Sequence, residues 1–123
     1  MKKLTAILLI AALLPATSLA RFIDGNKLLD DCEGGNVACS GYIAGISDAH
    51  GTFVGWGDMG PKFCVPKGVT VGQLMKVAVK HLNDFPEALH YNASGLVSQA
   101  LFGAFPPSFK DDGTRYCPDE GES

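Results

Sequence analysis

The chain has 123 residues, with ten basic and thirteen acidic side chains and four cysteines. That length supports one domain with a modest core. The acidic balance argues against nucleic acid or an anionic membrane as partner and suits a basic protein better.

Lys2 and Lys3 precede an apolar run from Leu4 to Leu14, and Ser18-Leu19-Ala20 follows. This is the charged region, apolar region and small-x-small site of a secretory signal peptide, with cleavage expected after Ala20. A membrane anchor would require about 20 apolar residues, and the run is shorter. No cysteine lies near the cleavage site, so a lipoprotein is not expected. Residues 1–20 are therefore read as signal, 21–107 as the domain and 108–123 as a polar, acidic tail. The signal carries two of the ten basic residues and no acidic one, which leaves eight against thirteen and a mature net charge of −5.

Asp24 is the expected N-cap of a first helix over about Gly25 to Cys32, with Leu28, Leu29 and Cys32 facing inward. Glu33-Gly34-Gly35-Asn36 reads as a turn. A second helix is expected from about Val37 to His50, because Cys39, Tyr42, Ile43 and Ile46 follow helical spacing. Gly41 and Gly45 each cost up to about 1 kcal/mol of helix propensity, and another helix approaching closely would offset that. Gly51 to Pro61 then reads as a long glycine-rich connection with a possible hairpin at Gly55 or Gly57. It carries Phe53, Val54, Trp56 and Met59. Long loops in small domains are often functional, and apolar side chains argue against plain disorder.

The most strongly marked helix is the third. Thr70 and Gln73 have capping-box spacing, and Val69 and Leu74 have that of a hydrophobic staple. Val71, Leu74, Met75, Ala78 and Leu82 form one apolar stripe. Pro86 stops this helix and suits the first turn of a fourth, with Leu89, Ala93, Leu96, Val97, Ala100, Leu101 and Ala104 as its stripe and Phe105-Pro106-Pro107 as its end. The expected fold is all-α: four helices, one glycine-rich loop, and a tail pinned by Cys117.

Cys32, Cys39, Cys64 and Cys117 are an even set in an exported domain, which reads as two disulfides with three possible pairings. Each bridge would add roughly 3–5 kcal/mol. Their spacing lacks C-x-x-C, so no zinc site is expected. His50, His81 and His90 have no partner at catalytic or metal spacing, and the carboxylate pairs Asp30-Asp31 and Asp111-Asp112 read as solvated surface. No cofactor and no enzymatic activity are expected. Asn92-Ala93-Ser94 matches a glycosylation sequon inside the expected fourth helix and is discounted. Trp56 is either a partner contact or a side chain folded back onto the core. With Phe53, Asp58 and Met59 it is the candidate binding set, since aromatics concentrate at interface centres.

Leu28-Leu29 before Cys32, Ala38-Cys39-Ser40-Gly41-Tyr42-Ile43-Ala44-Gly45, Phe63-Cys64-Val65-Pro66 with Gly68-Val69-Thr70 and Gln73-Leu74, Leu82 before Pro86, and Ala100-Leu101 before Phe105-Pro106 together resemble the Rap1a/Tai family. The resemblance spans about Phe22 to Pro106. It implies a small periplasmic four-helix domain similar to HdeA-type acid-stress chaperones. It also implies an immunity protein that acts as a homodimer and inhibits a type VI secretion effector, a peptidoglycan amidase, by occluding its groove. The family's alternatives are an HdeA-like acid-stress chaperone and an orphan member, carried by a mobile element, with an unassigned protein-binding role. The family motif ends in Phe-Pro-Cys, whereas here Pro107 follows Phe105-Pro106 and the fourth cysteine comes later, at Cys117. The pairing preferred on this basis is Cys39–Cys64 with Cys32–Cys117. The motif carries no partner-contacting positions.

Overall fold

A computed structural model describes residues 22–118. The expected signal peptide and the last residues of the tail lie outside them. Four helices form the body: α1 (Gly25–Glu33), α2 (Val37–Gly55), α3 (Val71–Asp84) and α4 (Ala93–Ala104). A single 3-10 turn, Pro86–Ala88, stands between α3 and α4, and a short hairpin of β1 (Ser108–Phe109) and β2 (Arg115–Tyr116) follows α4.

The helix starts follow local chemistry. The Asp24 side chain accepts a hydrogen bond from the Lys27 N–H at 2.9 Å, which caps α1. The capping box of α3 is complete. Gln73 N–H donates to Thr70 Oγ1 at 3.2 Å, and Thr70 N–H donates to Gln73 Oε1 at 2.7 Å. Leu74, Ala78 and Leu82 are buried on one face of α3, while Val71, at its first position, is exposed. Together with Leu28, Cys39, Ile43, Phe63, Ala93, Leu96, Val97 and Leu101 they form one core.

Three expectations are corrected. First, α2 does not end at His50 but runs five residues further, to Gly55, so Phe53 and Val54 are helical and there is no hairpin around Gly55 or Gly57. Gly51 and Gly55 are tolerated as helical residues, and the stop falls at Gly57. Its φ is +79°, Gly57 N–H bonds to Val54 O at 3.0 Å, and Asp58 N–H bonds to Phe53 O at 3.1 Å. This is a Schellman closure, and its left-handed position suits glycine.

Second, α4 begins at Ala93, not near Pro86. The intervening backbone is taken by the start of the chain. Gly25 N–H bonds to Tyr91 O, Asn26 N–H to Leu89 O, and Ala93 N–H to Ile23 O, at 3.0–3.1 Å. Asn92 thus precedes α4 and does not lie inside it. A Cβ on Gly25 would come within 2.6 Å of Leu96 Cδ1 and 2.9 Å of Leu89 O, so this crossing requires glycine.

Third, the cysteines pair as Cys32–Cys39 and Cys64–Cys117, not as Cys39–Cys64 and Cys32–Cys117. The α1–α2 turn places Cys32 and Cys39 on facing ends of consecutive helices, with Cα atoms 5.0 Å apart. The β hairpin turns the chain after α4 back toward Phe63, which brings Cys117 to Cys64 with Cα atoms 5.5 Å apart. The segment expected as a tail is therefore folded as far as Pro118. Thr114 closes its turn by donating its N–H to the Asp112 carboxylate at 2.8 Å, and hydrogen bonding from Thr114 holds that carboxyl below its ordinary range.

Candidate functional site

The C-terminal end of α2 builds an exposed aromatic corner. Continuing the helix through Gly55 puts Phe53 on its last turn and Trp56 at its C-cap. The two rings meet edge to face, with centroids 5.7 Å apart at 90°, a favoured geometry for aromatic pairs. Trp56 is 70% exposed and Phe53 44%. Trp56 thus does not fold back onto the core. Asp58 is exposed at the Schellman turn, and Met59 is half-buried just beyond it. The structure therefore presents Phe53, Trp56 and Asp58 together at one helix end, with Met59 more recessed.

The chain that leaves this corner is held from both sides. Pro61 and Phe63 are buried. Lys62 N–H donates to His50 Nε2 at 2.9 Å, and the His50 ring stacks on Phe63 with centroids 3.9 Å apart. Cys64 N–H donates to Phe105 O at 2.8 Å, tying the same segment to the end of α4. These anchors hold the last turns of α2 and the segment that follows the corner against each other. Between α2 and residues 61–67 lies an open cleft of about 230 Å³. It is lined by Ser47, His50, Val54, Pro61, Phe63, Val65, Lys67 and the Cys64–Cys117 pair, among others.

The outward face of α2 continues from the corner. Only Cys39 and Ile43 of this helix are buried. Gly41 and Gly45 are exposed, and no atom lies within 4 Å of a Cβ built on either. The expectation that another helix packs on them is not met within the described residues, because the core side of α2 is the Cys39–Ile43 side. The outward side shows Val37, 83% exposed, then Ala38, Gly41, Gly45, Ala49, Thr52 and Trp56, with Asp48 as its one carboxylate. Surface helices normally carry charge on that side. The expected set contained the corner but missed this face. The signal was in the sequence, where α2 holds a single carboxylate and no Lys or Arg in 19 residues.

All four cysteines are in disulfides, so no free thiol remains among the described residues. No group of three His, Cys, Asp or Glu side chains there could hold a metal ion. No helix among them is long and apolar enough to cross a membrane.

The profile of the Rap1a immunity proteins matches residues 24–107, from the cap of α1 to the buried Pro107. No curated protein and no solved structure matches the chain.

Proposed function

The chain belongs to the Rap1a immunity protein family, and from that premise we propose that it acts in the periplasm, binding and inhibiting a type VI secretion effector that is a peptidoglycan amidase. Inhibition is stoichiometric, by occlusion of the amidase groove, with no turnover and no cofactor. Phe53, Trp56 and Asp58 make the first contact, and Met59 lies beneath them. The protein acts as a homodimer after loss of residues 1–20.

The observation that carries this reading is Trp56, 70% exposed and braced by Phe53 on a helix end that is itself anchored to the core. A large aromatic held rigidly in water gains contact area on binding while losing little conformational freedom. The weakly charged outward face of α2 supports the same reading, since exposed apolar patches commonly mark interaction sites.

The test is co-expression. A periplasmic amidase effector is produced in a host with and without this chain, and lysis is followed. Rescue of growth, together with a stoichiometric complex of the two purified proteins, is the expected outcome. Continued lysis, with no complex formed by any effector encoded beside the gene, would end the immunity reading. Client binding confined to low pH, with mixed denatured proteins retained, would favour the acid-chaperone alternative instead.

A further inference from the structure

We propose that the Cys64–Cys117 disulfide is a thiol–disulfide exchange site for a dithiol reductant, and that Cys32–Cys39 is not. The inference rests on where each thiolate would have to leave. Cys39 is fully buried among core residues. Attack on the partly exposed Cys32 would expel a Cys39 thiolate into apolar surroundings, and such burial raises a thiol's pKa and makes it a poor leaving group. Attack on Cys39 itself is blocked by its burial. Cys64 and Cys117 are both partly exposed and both line the open cleft between α2 and residues 61–67. Whichever sulfur is attacked there, the other departs toward water, and Lys67 lines the same cleft with a cation that favours a thiolate.

The exchange balances as follows. A reductant thiolate attacks one sulfur of the pair and forms a mixed disulfide. The Cys64–Cys117 bond breaks, and its electron pair leaves on the other cysteine, which takes a proton from water. The reductant's second thiol then attacks the mixed disulfide and releases the first cysteine. The protein disulfide is reduced by two electrons, and the dithiol is oxidised to its own disulfide.

Opening this bond frees a defined part of the molecule. Among the helices and strands, β1 and β2 have each other as their main neighbour, and otherwise they meet the segment around Gly60 and Cys64. The 53-residue cross-link is the covalent tie between their hairpin and the segment after the aromatic corner. The α1–α2 corner and its own disulfide are unaffected.

The oxidised protein is treated with dithiothreitol, quenched with an alkylating agent at intervals, and mapped by mass spectrometry. Cys64 and Cys117 are expected to be alkylated about tenfold faster than Cys32 and Cys39, as the better leaving group dictates. Hydrogen exchange on the half-reduced species is expected to show lost protection over residues 108–116 with the four helices still protected. Both disulfides opening at one rate, or Cys32–Cys39 opening first, would overturn the proposal. So would helices that exchange as freely as the hairpin in the half-reduced protein.

Discussion

At the junction of α1 and α2, the chain closes one helix and opens the next within four residues. Gly35, with φ of +68°, ends α1 in a Schellman turn, and the Asn36 side chain at once accepts from the Ala38 N–H at 2.9 Å to cap α2. Lys27 and Asn36 both bond the nearly buried Asp31, and Cys32–Cys39 locks the corner. At the other end of α2 the same turn, built on Gly57, is followed by no cap. Twelve residues pass before α3 begins after Thr70, and they are secured by contacts from distant parts of the chain: Phe63 in the core, the Phe105 carbonyl and Cys117. One corner is closed by its own sequence. The other is closed by the rest of the molecule, and so can leave Phe53 and Trp56 in water. The exposed aromatic corner is found where local closure gives way to long-range closure.

The comparison can be broken most severely at Phe63. Phe63→Ala removes a side chain buried to 3% that anchors the open corner, and should cost about 3–5 kcal/mol in urea unfolding. Val37→Ala at the closed corner should change stability by less than about 0.5 kcal/mol. The disulfides give the next largest difference. Replacing Cys64 and Cys117 together by Ser should cost about 4 kcal/mol, because a long loop is released. Replacing Cys32 and Cys39 should cost about 2.5 kcal/mol for their seven-residue separation. The reverse order in calorimetry would mean that native-state effects outweigh loop closure. The glycines sharpen the contrast further. Gly57→Ala should destabilise by about 1 kcal/mol or more, since its φ is positive. Gly51→Ala, inside α2 and facing open space, should stabilise by about 0.5–1 kcal/mol. Thermal midpoints of the two variants moving in opposite directions would fix the end of α2 at Gly57.

What could be read in the sequence tracks the same division. The caps at Asp24 and at Thr70 with Gln73 depend on residues three apart, and both were legible. The end of α2 was not, because it holds Gly41, Gly45, Gly51 and Gly55 before Gly57, and nothing local says which one takes the left-handed conformation. The start of α4 was hidden because the backbone between Leu89 and Ala93 bonds to residues 23–26, far away in sequence. The disulfide pairing failed for a related reason. The sequence marks Cys117 as the pin of a polar tail but not what it is pinned to, and it is the hairpin of Ser108–Phe109 and Arg115–Tyr116 that returns it to Cys64. Trp56 was identified as a candidate from its type and its loop-like surroundings. Its exposure depends on α2 continuing past Gly51, which the local pattern did not reveal.

The most direct measurement is the affinity of the effector for the wild-type protein and for Trp56→Ala, by titration calorimetry, with the thermal midpoint of each followed in parallel. Loss of an aromatic anchor at an interface centre typically costs about 2 kcal/mol or more, which is about thirtyfold in Kd. The expected result is that loss with an unchanged midpoint, since Trp56 is mostly in water. Equal affinities for the two proteins would show that the effector binds elsewhere and would contradict the assignment of the aromatic corner.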